Sequence, residues 1–446
     1  MPGKGAPSAR AGQRIGIKLT LEPGLTQQAV ICPYVFEVFS RDVHQKNKTM
    51  NHNFYVIAAL VLVLGTPLIA AAGPYTPATR SLSASSPKYT APTCFSNPSY
   101  KKTFQRLRDA AKGRPPAGNF RPLAKCLILA GKKKARPIIY ATKKVKKKTI
   151  RDVKTGLKIG QRILGNTGPL HLFLVGNNKD ESGPKGYDPD PQSRQLATAY
   201  CRSLKAYDLR DDLSGCISDW TKTFRKFDCC GAAHNPAAQF NGIRYQSFYY
   251  AGANVYSRRG ADLTKVTLHE YIHTYQNNYT IWGNDIAAEN AGLVEDYSPG
   301  PVWLEEGVAE YLALRIMYQE TNYPSFISKM KENLESARWI KKTHGLTLKD
   351  VETRQGQARV NKICDGCGGR LYYDTAAWAM LYLESLVGED KLIKKYYPQI
   401  PYLGWKRAFK KAFGMSINQF YTKVNRFMNW SEASQLRLLA AVKKSR

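Results

Sequence analysis

Val266-Thr267-Leu268-His269-Glu270-Tyr271-Ile272-His273 decides how the rest of this chain is read. Its apolar residues, Val266, Leu268, Tyr271 and Ile272, predict a mostly buried helix. On a helix, positions i and i+4 share a face, so His269 and His273 can offer two imidazole nitrogens to one metal ion. Glu270 then stands beside the ion as a carboxylate able to take a proton from water. The chain holds only seven histidines in 446 residues, so a pair spaced this way around a glutamate is a poor candidate for chance.

A four-coordinate catalytic zinc needs a third protein ligand and one open position. Downstream lies Trp303-Leu304-Glu305-Glu306-Gly307-Val308-Ala309-Glu310-Tyr311. Here the chain resembles the gluzincin metallopeptidases, whose second active-site helix carries W-L-x-E-G-x-A. The resemblance implies Glu306 as the third ligand, with Glu305 as the alternative. It also places Glu310 where thermolysin-type enzymes carry an acid that steadies a zinc-bound histidine. Residues 277–302, rich in Asn, Gly, Pro and acids, read as an inserted loop that builds a cleft wall.

A third match covers Tyr372-Tyr373-Asp374-Thr375-Ala376 through Tyr382-Leu383. Gluzincin aminopeptidases open a helix with a tyrosine followed at that spacing by an aromatic-Leu pair. The resemblance implies Tyr373 as hydrogen-bond donor to the developing oxyanion, with Tyr372 as its rival. Upstream, Tyr245 to Tyr250 is rich in strand formers. In related peptidases the strand before the zinc helix is the sheet edge on which substrate backbone pairs. That implies Gly252, Ala253 and Asn254 as substrate-binding residues. Aminopeptidases of the clan carry Gly-x-Met-Glu-Asn there, and this chain lacks the Glu that holds a free amine. Endopeptidase action is therefore favoured over aminopeptidase action. The likeness covers about residues 240–430, and Phe413 to Phe420 resembles the clan's closing helices.

The expected fold class is α+β. It comprises a zincin-like catalytic part with a mixed sheet, an edge strand and the zinc helices, then an all-helical C-terminal part, with a basic N-terminal region in front. The expected divisions are a non-native or unstructured leader at 1–49, a signal peptide or anchor at 50–72 and a basic region at 73–165. A catalytic subdomain at 166–330 and a helical subdomain at 331–446 complete them. Residues 169–175 read as a buried strand containing a packed His171, and a helix is expected from about Ser193 to Tyr207.

Residues 54–72 are apolar and uncharged and end in Ala70-Ala71-Ala72 before Gly73. This is the pattern of a signal peptide following Met50, with a signal anchor as the alternative. Of nine cysteines, dropping Cys32 with the leader leaves Cys94, Cys126, Cys201, Cys216, Cys229, Cys230, Cys364 and Cys367. An even set suits an oxidising compartment, so a secreted, disulfide-bonded protein is expected. Cys364-Asp365-Gly366-Cys367 reads alternatively as half of a structural zinc site or a redox pair, but no second C-x-x-C accompanies it. Asn278-Tyr279-Thr280 and Asn429-Trp430-Ser431 are glycosylation sequons in a eukaryotic secretory host.

The formal net charge is +33, and residues 101–165 hold 21 Lys and Arg against Asp109 and Asp152. Such a stretch attracts a polyanion or acidic surface; alternatives are an ordinary solvated face or a propeptide with processing sites. A specific nucleic-acid partner ranks last, given the signal sequence. Two classes of function remain. The first is a secreted zinc peptidase acting on a peptide or protein. The second is a catalytically weak or inactive zincin-fold binding or adhesion protein that works through its basic region.

Overall fold

A computed structural model describes residues 78–80, 137–166, 170–176, 192–206, 212–226, 232–236, 246–250, 253, 262–280, 298–321, 325–388 and 391–444. The leader, the apolar run 54–72, most of the basic stretch, Gly252, Asn254 and Cys32, Cys94, Cys126, Cys229 and Cys230 lie outside the described residues. Among those described, no helix is long and apolar enough to cross a membrane.

The strands are β1 (Ala78–Arg80), β2 (Ile138–Ala141), β3 (Leu170–Leu174), β4 (Ala232–Pro236) and β5 (Gln246–Tyr250). They form one sheet in the order β1-β2-β3-β5-β4. All neighbours run parallel except β4, which is antiparallel to β5. Helices follow as α1 (Lys147–Leu164), α2 (Ser193–Ala206), α3 (Leu213–Lys226), α4 (Leu263–Asn277) and α5 (Val302–Thr321). Beyond them come α6 (Ser325–His344), α7 (Arg354–Ile363), the short α8 (Cys367–Arg370), a π-turn at Leu371–Thr375 and α9 (Ala376–Val387). The chain closes with α10 (Ile400–Leu403), α11 (Trp405–Phe413), α12 (Ile417–Phe427) and α13 (Glu432–Lys444).

The sheet is covered on both faces, which is why β3 is a continuous buried run and not an alternating one. Successive side chains point to opposite sides. Ile139, Leu172, Leu174, Phe248 and Tyr250 join the core that contains α1, α4 and the C-terminal helices. Tyr140, Phe173, Val175 and Tyr249 join a second core with Leu196, Tyr200, Trp220 and Phe224 of α2 and α3. A disulfide, Cys201–Cys216, ties those two helices together. His171 is buried, with its ring 5.8 Å from that of Tyr140, the packed role expected of it.

One expectation is corrected here. The strand preceding α4, β5, is interior, flanked by β3 and β4; the edges are β1 and β4. Ala253 is fully buried and its N–H donates to Val175 O at 3.0 Å. β1, β2 and α1, from the basic region, share the sheet and core of the later elements.

The contact that positions α4 is the one it makes with α1. Gly156 and Gly160 lie one turn apart and let the backbone of α1 touch α4. A Cβ on Gly156 would sit 2.5 Å from Thr264 O, and one on Gly160 would sit 2.4 Å from Tyr271 Cδ1. Tyr271 Oη in turn donates to Gly165 O at 2.6 Å. On helix propensity alone, Gly156→Ala should stabilise by about 1 kcal/mol. The obstructing atom is backbone, so we expect a loss of about 1–3 kcal/mol instead, read as a lower urea midpoint at unchanged slope.

Candidate metal centre

Helix α4 starts at Asp262, whose side chain accepts from Thr264 N at 2.8 Å, a standard N-terminal cap. From Thr267 onward every residue of α4 is buried, so its polar side chains must find partners inside the protein. His269, Glu270 and His273 are 7, 6 and 5 % exposed.

His269 Nε2 and His273 Nε2 are 3.1 Å apart. Glu306 Oε2, from α5, lies 3.2 Å from the first and 3.3 Å from the second. The three atoms thus form a nearly equilateral triangle, and these three residues form a group able to hold a metal ion. Zinc bonds of roughly 2.0–2.1 Å to nitrogen and oxygen in a tetrahedron place neighbouring ligand atoms about 3.3 Å apart. The donor set, two imidazoles and a carboxylate, fits such an ion.

The far side of each imidazole faces a neighbour. His273 Nδ1 donates to Gln276 Oε1 at 2.7 Å, which leaves Nε2 with its lone pair toward Glu306. Gln276 is itself fixed, donating to Glu305 O at 2.8 Å and to Tyr397 Oη at 3.0 Å. His269 Nδ1 lies 3.2 Å from Glu310 Oε2, and Glu310 is ion-paired with Lys265, one turn before His269. Glu305 does not join the triangle: its Oε1 is 3.9 Å from His273 Nδ1, on the outer side of that ring.

The electrostatics follow from crowding these groups in a buried place. Burial alone would push His273 down, but Glu306, with Glu270 and Glu305, carries it up to about 10. Burial likewise opposes the charge on His269, and its contacts to Glu306 and Glu310 outweigh it, so that histidine is raised too. Burial would raise Glu306, and the two histidines hold it well below the usual carboxylate range. Glu305 is raised to about 7 by burial, which outweighs the opposing pull of His273. Tyr249 is pushed up to about 12, by burial first and then by the charge of Glu270.

Glycine makes the approach of the third element possible. A Cβ on Gly307 would lie 2.4 Å from Ala376 Cβ, so the residue after Glu306 must be small for α5 to cross α9 this closely. That crossing sets the π-turn beside the triangle, with the Tyr373 ring 6.0 Å from that of His269. Single π-turns inside helical segments recur at functional sites. Tyr372 goes elsewhere: it is buried, and a Cβ on Gly368 would meet its hydroxyl at 3.1 Å.

The structure therefore gathers His269, His273, Glu306 and Glu310, sets Glu270 on the same buried helix and lays Tyr373 alongside. Gln276, Lys265 and Tyr397 were not foreseen. The first two had a signal, since Gln276 is three residues after His273 and Lys265 four before His269, the offsets that meet on one helix face. Tyr397 had none. Of the two sequons, Asn429 is exposed, whereas Asn278 is 2 % exposed and closed off within the fold. Cys364 and Cys367 lie at disulfide distance. No protein-family model, no curated protein and no solved structure matches this chain.

Proposed function

We propose that this chain is a zinc-dependent metallopeptidase of the gluzincin type that hydrolyses peptide bonds in a secreted setting. The observation that supports it most is the buried triangle of His269 Nε2, His273 Nε2 and Glu306 Oε2, with sides of 3.1–3.3 Å. Zinc held there would supply a Lewis acid that polarises the scissile carbonyl and acidifies water. His273 keeps its Nε2 lone pair inward because its Nδ1 donates to Gln276, while Glu310 lies 3.2 Å from Nδ1 of His269. Glu270 takes a proton from the attacking water and delivers it to the leaving amine nitrogen as the C–N bond breaks. Tyr373 donates its phenol hydrogen to the carbonyl oxygen as negative charge develops. The disulfide Cys201–Cys216 is compatible with an extracellular protein. The exposed stripe Lys147, Arg151, Lys158 on α1 suits an acidic surface or polyanion.

The full chain, incubated with a panel of unmodified peptides, should cleave internal bonds. A chelator should stop cleavage and added zinc restore it. Cleavage that is indifferent to the chelator would remove this reading. Tyr373→Phe should lower kcat by roughly 10²–10³ with little change in KM. An unimpaired Tyr373→Phe beside a crippled Tyr372→Phe would pass the oxyanion role to the neighbour.

A further inference from the structure

We propose that Cys364, Cys367 and His344 form a second metal site, for a thiophilic divalent cation such as zinc, available when the two cysteines are reduced. It shares no residue with the triangle of His269, His273 and Glu306, and it goes beyond the peptidase reading.

The geometry begins with the turn Cys364-Asp365-Gly366-Cys367. Cys364 ends α7, its N–H donating to Val360 O at 3.2 Å. Gly366 adopts φ +76°, a left-handed conformation that glycine takes at no steric cost and that turns the chain back on itself. The two cysteines come out with Cα atoms 5.5 Å apart and their sulfurs together. The turn is seated by Gly368, where a Cβ would lie 2.5 Å from Asn361 Oδ1 of α7. Two cysteines separated by two residues across a glycine turn have the spacing with which structural zinc is gripped.

Sequence reading found no partner for this pair because the third donor is 20 residues upstream, on another helix. His344 is the last residue of α6, and one donor atom from each of His344, Cys364 and Cys367 lies within 4.8 Å of the others. The His344 ring packs edge-on against Trp339 at 5.2 Å, and Trp339 is covered by the Arg370 guanidinium at 4.7 Å. This stack steadies the imidazole. Cys367 is buried, while Cys364 and His344 are half-buried, so an ion can enter. Two thiolates and an imidazole favour zinc or cobalt over hard cations and leave one tetrahedral position for solvent.

Disulfide and metal site use the same sulfur lone pairs and exclude one another. A phosphine reductant opens the disulfide: the S–S bond gains two electrons and two protons while the phosphine takes the oxygen of one water. Each thiol then gives up its proton as one divalent cation binds, so two protons leave per ion.

The test is a cobalt titration of the full chain before and after phosphine reduction. A thiolate-to-cobalt charge-transfer band in the near ultraviolet should appear only after reduction, complete by two equivalents as both sites fill. Cobalt at His269, His273 and Glu306 has no sulfur ligand and gives no such band, so failure here is separable from failure of the peptidase reading. Cys364→Ser and Cys367→Ser should each abolish the band. His344→Ala should weaken cobalt binding by more than the roughly 10–100-fold typical of losing an outer partner. Absence of the band in the reduced wild-type chain, an experiment needing no variant, overturns the proposal. So does a band that survives both serine substitutions, or a His344→Ala affinity equal to wild type.

Discussion

His269→Ala and His273→Ala should each take the chain from about one bound zinc to none, and with it abolish peptide hydrolysis. Each removes one corner of a triangle whose other two corners remain 3.2–3.3 Å apart, leaving one nitrogen and one oxygen, too few to hold the ion against competing chelators. Metal analysis after gel filtration reads the loss directly, and far-ultraviolet circular dichroism separates it from unfolding. The same chemistry predicts a pH dependence. With His273 raised to about 10, a proton and the metal compete for one lone pair, so apparent zinc affinity should rise with pH through neutrality and fall in acid. Stability of the metal-free chain should run the other way. The raised histidine stabilises the fold fully below its unfolded value of about 6.5, and that contribution is lost as pH climbs through the folded value. Either variant retaining full zinc would remove the histidines from the metal's ligand set.

Much of this centre was legible because a helix converts spacing into geometry. His269 and His273 needed only the i, i+4 rule, and Glu306 came from a motif whose glycine now has a physical reason in the Gly307–Ala376 crossing. β3 was readable as a buried run. β4 was not: Ala232-Ala233-His234-Asn235-Pro236 contains no β-branched or aromatic residue, so its pairing with β5 comes from tertiary context. The edge was therefore assigned one strand too far in. In the basic stretch, charge obscured an amphipathic helix. Thr149, Val153, Gly156, Leu157, Gly160 and Leu164 are all buried on one face of α1 beneath the lysines. Neither the glycine contact with α4 nor the Gln276–Tyr397 hydrogen bond carries any local signal, since each joins segments far apart in the chain.

Glu270→Gln should lower kcat by roughly 10²–10⁴ while zinc content stays at about one per chain, the range expected for loss of a general base. The two halves of that outcome have separate grounds. Activity falls because an amide cannot accept the proton of water, whatever else in the site is intact. Metal is retained because the triangle is complete without Glu270: its three corners are His269, His273 and Glu306. Glutamine also keeps the side chain's size on a helix that is buried on every side there. The substitution has a further signature in the histidines. Glu270 is one of the carboxylates that hold His273 up at about 10, so its neutralisation should ease deprotonation and let zinc bind at lower pH than in wild type. A mere scaffold residue would not shift the metal-binding profile in that direction. Measured side by side, kcat and the pH midpoint of zinc uptake decide the role. Loss of metal together with activity makes Glu270 structural, and undiminished kcat with normal metal content places the base elsewhere.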